Sequence, residues 1–221
     1  AASDVYKRQI YALVLLFVTI FPFAQNVPID FELGGNGLNW TWTTFENDTN
    51  PALEIVANPD PSGINTSATV AKFTALQTGQ PWAGCESMHG SDIGSFSFNN
   101  SNCTVSIMVW KSVISDVGIK FVDATSAAQP EIKIANTLIN QWEKITFDFS
   151  SRIGVFPITK DQIVIFPDFD LGGRSQDNII YFDNVYGASS NTGFGNEYIN
   201  ELVVSPNPAK DLLNISITNF N

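Results

Sequence analysis

Five tryptophans are spread through a chain of 221 residues that also carries 17 phenylalanines. Sugar rings have apolar C–H faces that stack on indole rings, while their hydroxyl groups need fixed hydrogen-bond donors and acceptors. An exposed tryptophan beside polar side chains is therefore the pattern that carbohydrate binding requires. Trp82 lies in a loop containing Gly and Pro, and Trp110 lies on the polar face of a predicted strand. Both are predicted to contact a ligand.

The remaining tryptophans divide into a pair and a single residue. Trp40 and Trp42 are two apart, so an extended strand places them on one face, and at most one of them need contact a ligand. Trp142 precedes a predicted strand and is expected to pack in the core. The polar partners expected for the ligand are Glu86, Asn65, Gln80 and Lys120. The predicted ligand-binding residues are Trp82, Trp110, Trp40, Trp42, Glu86 and Asn65.

The sequence offers little for catalysis. His89 is the single histidine, which argues against a catalytic triad and against a histidine-rich metal site, so a solvated loop residue is expected. A retaining glycosidase needs two carboxylates about 5–5.5 Å apart. Asp30 and Glu32 have a suitable spacing but lie at the domain edge, and Asp168 and Asp170 precede a turn. No catalytic residues are predicted.

The charge balance restricts the partners. The net charge is −11, which would repel a phosphate backbone and excludes nucleic acid as an expected partner. The same charge argues against sulfated or uronic-acid glycans. Only 15% of residues are charged, so Asn, Ser, Thr, Gln and Gly must supply much of the polar surface.

Short runs of β-branched and aromatic residues alternate with clusters of Gly, Asn, Asp and Pro, and no segment has a convincing helical period. Many short strands separated by turns favour an all-β fold, a jelly-roll β-sandwich of two antiparallel sheets. The predicted strands are Ile29–Leu33, Leu53–Val56, Ser67–Phe73, Val105–Lys111, Val117–Val122, Glu131–Ile134, Glu143–Phe149, Gln162–Phe166 and Ile179–Tyr186.

The N-terminal segment has the features of a secretory signal peptide. Lys7 and Arg8 precede an apolar run from Ile10 to Phe23, and the small residue Ala24 follows. The run is short for a membrane span, so we expect cleavage beside Ala24 or Gln25, the alternative being an uncleaved anchor. Export would allow a disulfide between Cys85 and Cys103, the alternative being two buried thiols.

The organisation predicted from these features has four parts. Residues 1–24 are a signal peptide whose first residues do not read as part of a domain, 27–187 form the sandwich, and 188–199 read as a flexible linker. Residues 200–221 begin a further segment, in which two strand-like runs flank Pro206-Asn207-Pro208. Twenty residues are too few to build a core of their own.

That last segment resembles the opening of the type IX secretion C-terminal sorting domain of Bacteroidetes. The resemblance rests on Val203–Ala209, which contains the Pro-Asn-Pro motif, and on the alternating run Leu212–Ile217. It implies passage across the outer membrane by the type IX secretion machinery, and hence a secreted or surface-attached protein without a membrane span once the signal peptide is cleaved.

The central region resembles jelly-roll carbohydrate-binding modules of Bacteroidetes type, which accompany glycoside hydrolases. The order of five segments carries the resemblance: Ile29–Glu32, Asn58–Ser67, Trp82–Gly84, Trp142–Ser150 and Tyr181–Val185. It implies a structural calcium ion (Ca2+) between the first and last strands, with Glu32 and Asp183 as carboxylate ligands. Calcium takes six to eight oxygen ligands at about 2.3–2.6 Å, so loop carbonyls would supply the rest.

The expected function is therefore non-catalytic binding of a neutral polysaccharide such as a β-glucan, by a monomer. Two alternatives stay open at this point. One is a polysaccharide-degrading enzyme, a β-sandwich glycoside hydrolase or lyase. The other is a protein-binding surface adhesin domain, which a flat apolar patch rather than an aromatic surface beside polar groups would favour.

Overall fold

A computed structural model describes residues 28–186, together with the backbone of two short strands at 201–205 and 214–218. The predicted signal peptide and linker lie outside the described residues, as does the Pro-Asn-Pro motif. The two short strands belong to a unit separate from the sandwich.

The sandwich is built almost entirely from short strands. Its elements are β1 (Thr43–Phe45), β2 (Glu54–Ala57), β3 (Thr69–Ala75), β4 (Gly84–Glu86), β5 (Phe96–Ser97), β6 (Thr104–Lys111), β7 (Asp116–Val122), β8 (Ile132–Ala135), β9 (Trp142–Asp148), a 3-10 turn (Ser150–Arg152), β10 (Thr159–Lys160), β11 (Gln162–Phe169) and β12 (Asn178–Asp183).

Two five-stranded antiparallel sheets form the layers. The first sheet has the order β1-β4-β11-β7-β8, and the second has the order β2-β3-β12-β6-β9. Strands β10 and β5 pair separately, and an isolated bridge joins Ile29 to Val185. The predicted all-β sandwich of two antiparallel sheets is confirmed.

The core lies between the sheets because one face of each strand is apolar. In β6, Val105, Ile107 and Val109 are at most 1% exposed, while Trp110 on the opposite face is half-buried. In β9, Ile145 and Phe147 face the same core. The period of two in the sequence therefore predicted correctly which face of each central strand packs inward.

A buried polar network crosses from one sheet to the other. Asp168 of β11 receives hydrogen bonds from Arg174 Nε and from Asn178 Nδ2 of β12, both at 2.9 Å. Lys111, at the end of β6, lies 3.5 Å from the same carboxylate, and Ser115 also donates to it. Burial lowers the pKa of Lys111 to about 8. Burial alone would raise the pKa of Asp168, but its cationic and hydrogen-bonding neighbours hold it below the ordinary value.

The predicted disulfide is wrong, because Cys85 and Cys103 are both free buried thiols. Cys85 lies in β4 of the first sheet, whereas Cys103 directly precedes β6 of the second. Burial raises the pKa of the Cys85 thiol well above its ordinary value, so it behaves as a core residue.

The C-terminal unit contains an antiparallel hairpin. Strand β13 (Glu201–Ser205) pairs with β14 (Asn214–Thr218), with Val203 opposite Ser216. These are the two strand-like runs predicted on either side of the Pro-Asn-Pro motif. Within the described part of the chain, no helix has the length and apolar character needed to cross a membrane.

Candidate functional site

The outer face of the first sheet carries an apolar cluster that is separate from the core. We call this cluster the apolar floor; its members are Phe45, Val122, Val164, Phe166 and Phe169. The rings of Phe45 and Phe166 meet edge to face, with centroids 5.7 Å apart. Apart from the half-buried Phe45, these side chains are at most 8% exposed, and the Lys133 amine lies 3.9 Å from the centre of the Phe169 ring. A sheet face that turns away from the core is ordinarily polar, so this apolar layer, covered mostly by side chains of the sheet itself, marks an unusual face.

An irregularity in β11 gives the floor its length. Phe166 and Phe169 are three apart and would face opposite sides of a regular strand, but the pairing with β7 shifts register between them. Their ring centroids are consequently only 5.8 Å apart. Pro167, which has no N–H group for the ladder, lies within this irregularity.

Two glycines leave space on either side of Phe166. The register places Gly84 of β4 and Gly118 of β7 beside it on the neighbouring strands. A Cβ atom at Gly84 would lie 2.5 Å from the Ile165 carbonyl oxygen and 2.7 Å from the Phe45 ring. A Cβ atom at Gly118 would lie 3.1 Å from the Phe166 ring. The rings can therefore lie against the sheet only because these positions lack side chains.

Charged side chains flank the floor. Glu86 of β4 and Lys120 of β7 both pair with Val164, from opposite sides, so the acid and the amine face each other across the floor. The Lys120 amine lies 5.5 Å from the centre of the Phe166 ring. Burial raises the pKa of Glu86 above its ordinary value, and the neighbouring His89 and Lys120 side chains partly offset that rise.

Trp82 lies at the Phe169 end of this face. It is 42% exposed and precedes β4 by two residues. The loop that carries it is held in place, because Asp170 donates to the Pro81 carbonyl at 3.1 Å and Arg174 donates to the Gln80 carbonyl at 2.9 Å. The structure thus places the segments that carry Trp82, Glu86 and Lys120 along the first sheet.

A polar pocket of about 380 Å³ adjoins the same end, lined by Glu46, Asp48, Asn50, Thr78 and Gln80. The Gln80 amide donates to the Glu46 carbonyl at 2.7 Å, which joins the loop after β1 to the loop before β4. Glu46, Asp48 and Asn50 all have positive φ angles, a conformation that constrains this loop tightly. Gln80, one of the predicted polar partners, therefore lies beside the floor.

Trp110 lies on a different surface from the other predicted ligand contacts. It is on the outer face of the second sheet, opposite Tyr181 of β12, and the two rings meet edge to face at 5.6 Å. Trp142 is its partner on β9 and is covered, since its indole nitrogen donates to Asn58 and to the Asp60 carbonyl. The expected burial of Trp142 is confirmed.

Trp40 and Trp42 pack at the edge of the core. Their rings are stacked with centroids 5.8 Å apart, and Trp42 lies at the same distance from Phe31. The Trp42 indole nitrogen donates to the Gly37 carbonyl at 3.0 Å. Both rings are partly buried against the core, so their contacts account for them without a ligand.

Asn65 is 1% exposed, and its Oδ1 accepts the Ser67 N–H group at 3.0 Å. The side chains of Asn65 and Ser67 both contact the carboxylate of Asp183. The six predicted ligand residues therefore lie in four places. Trp82 and Glu86 are at the first sheet, Trp110 is on the second, Trp40 and Trp42 are at the edge of the core, and Asn65 is beside Asp183.

The two carboxylates expected to bind calcium lie against one segment. Glu32 Oε1 accepts the Thr69 N–H group at 2.9 Å, and Asp183 contacts Ser67. Asp183 is completely buried and forms no ion pair with a described residue. Burial raises its pKa to about 6, and the charge of Asp30 adds to that rise. Asp183 Oδ1 accepts the Asn184 N–H group at 2.7 Å, and its Oδ2 accepts a hydrogen bond from Asn184 Nδ2 at 3.0 Å. No group of three or more His, Cys, Asp and Glu gathers among the described residues.

His89 was expected to be a solvated loop residue, and it does lie in a loop with an exposed edge. Its Nδ1 is, however, 2.7 Å from Asp161 Oδ1, a contact that the sequence did not reveal. Asp161 directly precedes β11, so His89 is fixed beside the end of the first sheet that is remote from Trp82.

No protein-family model matches the chain, and no curated protein matches it. Several solved structures are similar to it. The CBM22-1 xylan-binding domain of Paenibacillus barcinonensis Xyn10C is 14% identical over 73% of this chain and 91% of that domain, with a TM-score of 0.45. A variant of the family 29 carbohydrate-binding module CBM29-2 is 10% identical over 76% of this chain and 96% of that one, also with a TM-score of 0.45.

Proposed function

We propose that the sandwich is a non-catalytic carbohydrate-binding module that acts as a monomer and binds a neutral polysaccharide along the outer face of its first sheet. One observation carries the proposal: Glu86 and Lys120 face each other across an apolar floor that contains Phe45 and Phe166. The half-buried Phe45 ring and the exposed Trp82 offer stacking surface to the C–H faces of sugar rings. The two charged groups offer one acceptor and one donor to hydroxyl groups.

The neutral character of the ligand follows from charge. The net charge of −11 and the acidic groups at both ends of the floor would repel sulfate and uronic-acid groups. A β-glucan of laminarin type is our first choice, because the chain resembles modules that accompany β-glucan-degrading enzymes. The proposal needs no catalytic residue.

Affinity electrophoresis tests the proposal directly. Wild-type protein should be retarded in gels containing laminarin or another neutral glycan, and Glu86→Gln and Lys120→Met should each be retarded much less. Glu54→Gln is the matched control, because Glu54 is an exposed acid on the second sheet, paired with Lys72. Unretarded wild-type protein in laminarin, xylan, mannan and galactan gels would reject the function, and equal retardation of all variants would reject the site.

We also propose one structural calcium ion, held by Glu32 and Asp183 together with oxygens of the segment 65–69. The support is the burial of Asp183 without a cationic neighbour among the described residues. Such an ion would tie the first described segment to the last strand of the second sheet, far from any catalytic role.

We propose that the protein is secreted or attached to the outer cell surface through the type IX secretion machinery. The basic pair Lys7-Arg8 before an apolar run and the hairpin of β13 and β14 support export. Fractionation of a Bacteroidetes host tests it: the protein should be outside the cell when the machinery is intact and should accumulate in the periplasm when it is deleted. An unchanged distribution would contradict this route.

A further inference from the structure

A second pocket, of about 340 Å³, lies where β7 ends and β11 begins. Its walls come from four separate segments of the chain, namely Ser95, Asp123–Thr125, Phe156 and Ile158–Asp161. Its volume is in the range of pockets that hold small molecules. Nothing in the binding site proposed above makes use of it.

The pocket is continuous with the floor. Gln162 of β11 pairs with Val122 of β7, which is a member of the floor. Asp161, directly before Gln162, and Asp123, directly after Val122, both line the pocket. Asp161 also donates its N–H group to the Val122 carbonyl at 2.9 Å. Asp161 lies five positions before Phe166, a distance of about 17 Å along an extended strand. A chain of sugar rings that follows β11 therefore reaches the pocket.

Two apolar side chains give the pocket a stacking surface. Phe156 is 70% exposed and Ile158 is 56% exposed, although both are large and apolar. Exposing such side chains next to each other is unfavourable in water, and an aromatic ring at a pocket wall is the group that stacks on a sugar.

The two carboxylates that line the pocket each have an oxygen that can accept a further hydrogen bond, while the Lys160 amine donates to the Pro157 and Ile158 carbonyls. Asp123 Oδ1 is occupied by the N–H groups of Thr125 and Ala127, but no described donor reaches its other oxygen. Asp161 is 7% exposed, and its Oδ1 forms a hydrogen bond with His89. Its Oδ2 has no hydrogen-bond donor among the described residues. Two carboxylate acceptors suit a ligand rich in hydroxyl donors and would repel an anionic one.

We infer that this pocket is a further subsite, which holds an additional neutral sugar residue of the same glycan chain that lies on the floor. The inference rests on the proposed function and adds to it: the binding site extends along β11, with the glycan stacked on Phe156 at this end and hydrogen-bonded to Asp123 and Asp161. Long oligosaccharides should then bind more tightly than short ones.

The experiment is a titration calorimetry series with oligosaccharide ladders, from disaccharide to octasaccharide, prepared from laminarin, xylan and mannan. Wild-type affinity should rise with length and then level off. Phe156→Ala should weaken binding of the longest oligosaccharides about tenfold and leave the shortest unchanged, because only long chains reach both places. Val155→Ala is the control, since Val155 is exposed beside Phe156 but does not line the pocket.

Each contrary outcome has its own meaning. If wild-type affinity rises with length and Phe156→Ala follows the same curve, the subsite is rejected while the floor remains a binding site. If affinity does not depend on length, the subsite is rejected as well. If no oligosaccharide of any ladder binds to wild-type protein, the proposed function and the subsite fall together.

Discussion

Arg174 and Asp168 form an ion pair in which both side chains are completely buried, with Nε 2.9 Å from Oδ2. Arg174 continues from this pair to the Gln80 carbonyl at 2.9 Å and to the carbonyl of Asp168 itself. One guanidinium thus connects the end of β11 to the loop that carries Trp82. A buried arginine that donates several hydrogen bonds from its planar guanidinium group fixes the relative positions of its partners more than it increases the stability of the fold.

Arg174→Met should therefore cost both stability and binding. Removing one partner of a buried pair typically costs about 3–5 kcal/mol, and Lys111 remains to offset part of it, so we expect a loss of about 3 kcal/mol in the free energy of unfolding. Urea titration measures it. Glycan affinity should fall too, because the Trp82 loop loses an anchor.

Arg152→Met is the control for this prediction. Arg152 is only partly buried and binds Gln129 and the Pro130 carbonyl, far along the chain from the Trp82 loop. The Arg152→Met substitution should lower the free energy of unfolding by less than about 1 kcal/mol, as loss of a surface contact does. Equal losses for the two variants would contradict the role assigned to Arg174.

The central strands were readable from the sequence, but the edges of the first sheet were not. The alternation in β6 and β9 predicted their inward faces, because a buried face must be apolar at every second residue. Strands β1 and β4 have only three residues each, and β4 reads Gly-Cys-Glu, without a β-branched residue. β4 is a strand because it pairs with β11, and β1 is a strand because it pairs with β4; no local pattern in the sequence records either pairing.

The candidate site was predicted in part for the same reason. The polar partners Glu86, Gln80 and Lys120 were named, but Phe45 and Phe166 were missed, because the sequence does not show which sheet a strand joins. Phe166 also precedes Pro167, which reads as a strand end rather than as an irregularity inside a long strand. Alternation of apolar and polar residues predicts which side chains share one face of a strand. It does not predict that Trp82 and Trp110 belong to different sheets.

That separation makes a second prediction. Trp82→Ala should weaken glycan binding by about 1–2 kcal/mol, roughly tenfold, as truncation of an aromatic contact usually does. Trp110→Ala should leave affinity unchanged, because Trp110 is on the second sheet against Tyr181. Calorimetric titration with the glycan that retards the protein in affinity gels measures the affinities of both variants. A larger loss for Trp110→Ala than for Trp82→Ala would place the site on the second sheet.

The calcium proposal makes a third prediction. Addition of calcium at a hundred times its dissociation constant should stabilise the folded state by about 3 kcal/mol, which raises the melting temperature by roughly 5–10 °C. Asp183→Asn should abolish this shift, because it removes a buried carboxylate ligand. Asp170→Asn is the control, since Asp170 binds the Gly172 N–H group in an exposed turn. Equal melting temperatures of wild-type protein in calcium and in chelator would reject the ion.

The final prediction concerns pH in protein stripped of calcium. Burial raises the pKa of Asp183 from 3.8 to about 6, so between these values the folded state binds more protons than the unfolded state. This group therefore contributes stability that is fully present below about pH 4 and is lost as pH rises through 6. At about 1.4 kcal/mol for each pKa unit, the loss is on the order of 3 kcal/mol.

Urea titrations of wild-type protein and of Asp183→Asn, at pH 4 and at pH 7 without calcium, isolate this contribution from those of other carboxylates. The stability of wild-type protein relative to the variant should fall by about 3 kcal/mol over this interval, because only the wild type must bury a charge at pH 7. Calcium should reverse the trend, since it binds the ionised carboxylate. A relative stability that rises with pH in stripped protein would show that Asp183 is ionised and satisfied by its neighbours alone.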